Sequence, residues 1–283
     1  MSKIGVGVIT CDRVDMFDVC FDSIKEDWYD ELVVVDDGKR DHPTVNRGSC
    51  IKTNGSEGVG KAKNKALQHL LDKGCDYIVL VEDDMKFTDN LFAAYVDAYK
   101  KTGIHHFMFA YHGPANKAGI SYGKPVPRLV FDYGPFDEVR IALNQHCVGA
   151  VTFYTRESLE QVGLYDENYT NAFEHVDHSY ALAKNGFSTP YWWWSDLANS
   201  LDYVQEQKCS EESSAIRPRS DWQSNIQTAA RHFMSKHNVT PVQVISPIVL
   251  QRTSFNSTFS PSFNSINGAC ANQTPFLKKT SLL

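Results

Sequence analysis

The chain has 283 residues, of which 42% are apolar and 22% charged, with a formal net charge of -6; this is the composition of a globular domain able to bury a large core. The acidic balance gives no general pull toward nucleic acid or an anionic membrane, and no run of about 18 apolar residues predicts a membrane span. Seven scattered cysteines without a CxxC pair exclude a zinc knuckle or a disulfide framework and point to a reducing, cytoplasmic compartment.

The opening MSKIGVGVITCDR carries an apolar run too short for a secretory signal. Ile4 to Thr10 reads as a buried strand ending in Thr10-Cys11-Asp12-Arg13. Phe17, Cys20, Phe21, Ile24 and Trp28 then recur at helical spacing, which predicts an amphipathic helix over Asp15 to Trp28. Leu32 to Val35 is a second strand, stopping at Asp36-Asp37-Gly38. A third is expected near Cys50 to Thr53, followed by a glycine-bearing loop over 54–60 and a helix to about Lys73. Lys61, Lys63 and Lys65 crowd the start of that helix against its dipole, so they either face water or meet an anion docked there.

The stretch Tyr77 to Phe87, YIVLVEDDMKF, joins a buried strand to three adjacent carboxylates, Glu82, Asp83 and Asp84. Carboxyl ends of strands in open α/β sheets are where ligands bind. Unit charges about 4 Å apart repel by roughly 1 kcal/mol in water and roughly 4 kcal/mol at an effective dielectric of 20, so a partly buried acidic triplet favours a divalent cation; the plain alternative is a solvated acidic turn.

A helix capped at Thr88 or Asp89 runs to Lys101 with Leu91, Tyr95 and Ala98 inward, and His106 to Tyr111 is a further strand. This alternation predicts a mainly parallel sheet. From His112 to Gln145 the pattern loosens into what reads as an irregular, substrate-facing insertion with one strand-like run at Leu129 to Tyr133. Val148 to Tyr154 is strand-like, and Thr155 starts a helix closed by Gly163. A helix over Glu174 to Lys184 puts Glu174 and Asp177 on one face with His175 and His178 beside them. Of the tryptophans ending at Trp194, two pack and at least one lines a surface or cleft. Ser220 caps a helix over Asp221 to His237, and the tail from Gln251 reads as irregular, wrapping the body through Phe255, Phe259, Phe263 and Phe276.

In order and spacing, the TCDR strand end, VVVDDG, GVGKAKNKAL, YIVLVEDD, GLYDENY and FEHVDHSYALAKNGF resemble the GT-A fold nucleotide-sugar glycosyltransferases. The likeness is strongest to the large inverting family with a VVDDGS segment, and the EDD run resembles that of N-acetylglucosaminyltransferases. It covers residues 4 to 200. The resemblance implies an α/β GT-A fold: a mixed, mainly parallel sheet flanked by helices in one domain, with a nucleotide-sugar-binding half over 1–112, an acceptor-binding half over 113–240 and an irregular tail over 241–283. It places Thr10 and Arg13 along the nucleotide and Asp36 or Asp37 on the uracil or ribose. Glu82, Asp83 and Asp84 become the DxD-type motif, with Asp84 as the direct metal ligand and the other two near ribose and diphosphate. Lys63 stands where many relatives carry arginine, and the two do not bind alike. In the second acidic motif, usually two adjacent acids followed by another, the second acid is His175 here, which leaves Glu174 or Asp177 as the base, with Asp177 favoured.

The implied reaction is metal-dependent transfer from a UDP-sugar to an acceptor hydroxyl with inversion. A Mn²⁺ or Mg²⁺ ion offsets charge on the departing diphosphate, and a carboxylate takes the acceptor's proton. The acceptor is a glycan or another hydroxyl bearer, a modified nucleic-acid base among the options. The competing readings are a sugar-phosphate nucleotidyltransferase, whose glycine-rich N-terminal loop ITCDRVD does not match, and a non-catalytic carbohydrate- or nucleotide-binding protein, against which the intact acids count.

Overall fold

Val and Ile make β1 (Ile4–Thr10) a strand buried on both faces, and the turn at Asp12 leads into α1 (Val14–Ser23). The periodicity predicts that this helix continues to Trp28, but it stops at Ser23. There the hydroxyl bonds back to Cys20 O at 2.6 Å and accepts from Phe87 N, which leaves Ile24 extended. Next come β2 (Glu31–Asp36), β3 (Ser49–Lys52), α2 (Val59–Asp72), β4 (Tyr77–Glu82) and the short β5 (Met85–Phe87). Then α3 (Leu91–Thr102) is capped by Asn90, whose Oδ1 accepts from Ala93 N, rather than by Thr88 or Asp89.

After β6 (His106–Met108) the segment expected to be irregular is partly regular. It holds α4 (Pro114–Ala118), the paired β7 (Ile120–Ser121) and β8 (Lys124–Pro125), and a hairpin of β9 (Arg128–Tyr133) and β10 (Val139–Asn144). Ile141, Ala142 and Leu143 are buried, so β10 belongs to the core. Next are β11 (Val151–Thr155), α5 (Arg156–Val162) capped by Thr155, α6 (Glu174–Lys184), β12 (Trp194–Leu197), β13 (Val204–Glu206) and α7 (Trp222–His237). The computed structural model describes residues 2–121, 123–125, 128–133, 138–189, 193–208 and 220–241. Trp192, Cys209, Cys270 and the phenylalanines assigned to the tail therefore lie outside the described residues. The cysteines at 11, 20, 50, 75 and 147 are unpaired, and among the described residues no helix is long and apolar enough to cross a membrane.

The central sheet runs β3-β2-β1-β4-β11-β6, parallel except for β11, which is antiparallel to both neighbours. This is the mixed, mainly parallel GT-A arrangement expected from the sequence. Side chains of β4 alternate between two core layers: Val79 and Val81 pack with α1, α3 and β10, while Ile78 and Leu80 pack with α2, α5 and α6. Each fully buried aliphatic side chain contributes about 1.5–3 kcal/mol relative to exposure, which holds the strand ends, and the acids on them, in fixed positions. Trp193 and Trp194 are buried in the first layer.

Candidate active site

The carboxyl ends of β1, β2 and β4 lie side by side in register, with Thr10 opposite Asp36 and Ile9 opposite Glu82. The antiparallel β11 brings its first residues to the same edge, where Glu82 N donates to Ala150 O at 2.7 Å. A cleft of about 800 Å³ opens there. Its wall includes Thr10, Arg13, Asp37, Glu82, Asp84 and Glu174 from the expected set, together with His112, Gly149, His175, Glu206 and Trp222.

Two turns shape the side of the cleft formed by the ends of β1 and β2. Asp12 sits at φ +53, and its Oδ1 accepts from the backbone nitrogens of Lys39, Arg40 and Asp41, pinning the loop after β2 across the end of β1. Asp37 accepts from Glu57 N at 2.9 Å and Gly58 N at 3.1 Å, which ties that loop to the start of α2. Asp36 is buried and does not line the cleft, its carboxylate held by Gly38 N and His42 Nδ1.

The acidic triplet splits into three roles. Asp83 is buried under the turn, where Thr10 Oγ1 donates to it at 2.7 Å and Arg13 pairs with it. Arg13 also reaches Asp84 at 3.2 Å, so one guanidinium bridges two of the three acids. Gln207 fixes the turn itself, donating from its backbone to Asp84 O and from its side chain to Asp83 O. Asp84 Oδ1 is buried and has no hydrogen-bond partner, an unusual state for a carboxylate oxygen that a ligand would relieve.

Glu82 turns toward α2. Lys63, wholly buried, donates to Glu82 Oε1 at 2.7 Å and to Gly149 O at 3.0 Å, and lies 3.6 Å from Glu174 Oε1. It is thus a buried cation beneath the cleft, linking β4 to α6. Although burial opposes its charge, Glu82 and Glu174 raise its pKa above the ordinary lysine value.

The second acidic motif is divided by the helix it sits on. Phe173, at φ +63, turns the chain into α6, so that Glu174 and His175 reach the cleft. Burial opposes ionisation of Glu174, but His175 and Lys63 outweigh it and bring the carboxyl down to about 2. Asp177 faces α7, bonded to Lys236 Nζ at 2.8 Å, His237 Nε2 at 2.7 Å and Tyr169 Oη at 3.1 Å. His178 packs between the rings of Tyr154 and Tyr165. Positions three apart on a helix differ by about 60° in direction, enough on an enclosed helix to give each side chain a different neighbour.

Sequence reasoning passed over Gly149, Glu206 and Trp222 as site residues, and reached His112 only as the first residue of the segment expected to face the substrate. A lone glycine before a strand reads as punctuation, and a tryptophan opening a helix reads as packing. Among the described residues no group of three or more His, Cys, Asp or Glu side chains converges on one point as a metal site.

No protein-family model matches the sequence. A protein of Acanthamoeba polyphaga mimivirus described as an uncharacterized glycosyltransferase is 27% identical over 160 residues, covering 56% of this chain and 57% of that protein. The match therefore spans little more than half the length of that curated relative. Among solved structures, GalNAc-T7 with UDP, GalNAc and Mn²⁺ aligns with 87% of this chain and 56% of that one, at 10% identity and a TM-score of 0.52. S. aureus TarS 1-349 in complex with UDP-GlcNAc aligns with 86% of this chain and 69% of that one, at 14% identity and a TM-score of 0.50. At such identities the likeness is one of fold.

Proposed function

We propose that this chain is a metal-dependent glycosyltransferase that moves a sugar from a nucleoside-diphosphate sugar, a UDP-sugar by preference, onto an acceptor hydroxyl with inversion. The observation that carries the reading is Asp84: a cleft-lining residue at the carboxyl edge of the sheet, with one carboxylate oxygen buried without a partner, beside a cleft large enough for a nucleotide-sugar. The mimivirus relative supports the activity, and the two solved structures, with UDP and Mn²⁺ or with UDP-GlcNAc, support the donor class.

A divalent cation fits this donor set. Asp84 lines the cleft and its Oδ1 has no protein partner among the described residues; one carboxylate, with diphosphate oxygens and water completing the shell, is the sparse protein ligation that Mg²⁺ and Mn²⁺ accept. When bound, such an ion neutralises charge building on the leaving diphosphate. Thr10, Arg13 and Asp37 border the space for the nucleoside. Glu82 and Asp83 hold the surrounding charges in place, Asp83 through Arg13 and Glu82 through Lys63. The acceptor proton leaves at the Glu174–His175 end of α6, which faces the cleft. Asp177, already bonded to three partners, anchors α7 instead. Trp222, half-buried in the cleft wall, offers an apolar face to an acceptor sugar ring.

The test is thermal stabilisation by a panel of UDP-sugars with and without Mn²⁺. A Mn²⁺-dependent rise in Tm with at least one UDP-sugar, lost in Asp84→Ala, is expected. A shift that survives the substitution would move the metal site elsewhere.

A further inference from the structure

We infer that His175, oriented by Glu174, is the general base that takes the acceptor's proton. This rests on the glycosyltransferase reading and goes beyond it, because the residue expected for the task is a carboxylate.

Three observations converge. First, the carboxylates on α6 are poor candidates: Asp177 is turned toward α7 and bonded to Lys236, His237 and Tyr169, and Glu174 is buried, with Lys63 Nζ at 3.6 Å and His175 Nδ1 at 3.1 Å from the same oxygen. Second, His175 Nδ1 lies 3.1 Å from Glu174 Oε1. An ionised carboxylate there takes the Nδ1 hydrogen, which fixes the tautomer and leaves the Nε2 lone pair free. Among the described residues nothing engages Nε2, and the side chain is 25% exposed in the cleft wall. Third, the ring is seated on a glycine: a Cβ at Gly149 would come within 2.9 Å of His175 Cβ and Cγ. The site is built to hold the imidazole in one place, with a carboxylate behind it and open space ahead.

In the step itself, the acceptor oxygen attacks the anomeric carbon and its proton passes to His175 Nε2. The bond from that carbon to the diphosphate oxygen breaks, and its electron pair leaves with the nucleoside diphosphate. Glu174 stays ionised and stabilises the imidazolium that forms. The other titratable groups near His175 are Lys63 behind Glu174, Cys147 in the segment before β11, and, lining the same cleft, His112, Glu206 and Lys117 on one side and Cys11, Arg13, Asp37, Glu82 and Asp84 at the strand ends. With a second imidazole, His112, in the same cleft, the test must move the effect with His175 itself.

The measurement is Mn²⁺-dependent release of UDP from whichever UDP-sugar stabilises the wild type, with water standing in for the acceptor, across pH 5–9. His175→Gln should lower kcat by about 10²- to 10⁴-fold while UDP with Mn²⁺ still raises Tm as in the wild type. His175→Asp should keep part of the activity and extend it further into acid, because a carboxylate stays unprotonated to lower pH than an imidazole. Glu174→Gln should lower kcat less than His175→Gln does. Activity of His175→Gln within threefold of wild type, or an acid limb in His175→Asp that does not move, would overturn the assignment. If the wild type neither binds nor cleaves any UDP-sugar, the glycosyltransferase reading falls, and this inference with it.

Discussion

A lysine enclosed away from water needs anions at bonding distance, and Lys63 has Glu82 and Glu174 on either side. Breaking a buried pair from one side leaves an uncompensated charge, so Lys63→Met, with two carboxylates left facing each other, should cost about 3–5 kcal/mol. Urea denaturation measures this, and a loss below 1 kcal/mol would show that water reaches the pair. The acids at 82 to 84 were legible in the sequence because three charges in a row interrupt an apolar strand. The role of Lys63 was not, because a lysine on a helix start usually lies in water, and only the folded packing of α2 against β4 and α6 encloses it. Gly149 was hidden for a similar reason: its function is to lack a side chain where His175 packs.

At the scale of elements, α6 was read from the sequence with the residue bounds it has in the structure, yet its faces were not. The pattern put Glu174 and Asp177 on one side; packing against α7 separates them, and no spacing rule says which neighbour a helix meets. Asp177 and Asp166 together receive Lys236, His237 and His232, so the last turns of α7 are fastened to the loop and helix behind the cleft. Asp177→Asn should loosen this attachment by about 1–3 kcal/mol, seen as faster amide exchange along α7, while UDP-dependent stabilisation persists. Exchange as slow as in the wild type would mean that apolar contacts such as Phe233 hold the helix unaided. In β10 the sequence reading failed because Ala142 and Asn144 dilute the strand pattern, although pairing with β9 and β12 buries the element all the same.

For the molecule as a whole, stability should decline on the acid side. Burial holds His106 down at about 3 and His178 at about 4, so both are neutral in the folded chain while an unfolded histidine protonates near 6.5. The folded-state values are depressed, so this contribution is complete above about pH 6.5 and is lost as pH falls toward 4. Tm measured from pH 7.5 to 4.5 should drop through that window, less steeply in His106→Asn; an unchanged slope would assign the loss to other groups. The βαβ alternation announced the sheet, but strand direction is set by how the chain returns, and the reversal of β11 left no mark in composition. That reversal polarises the molecule. Since β11 begins at the cleft edge and ends beside Tyr77, lengthening the chain between Asn144 and Gly149 would remodel the mouth of the cleft, whereas lengthening it at Thr155 would fall at the opposite pole, where this protein can diverge without touching the cleft.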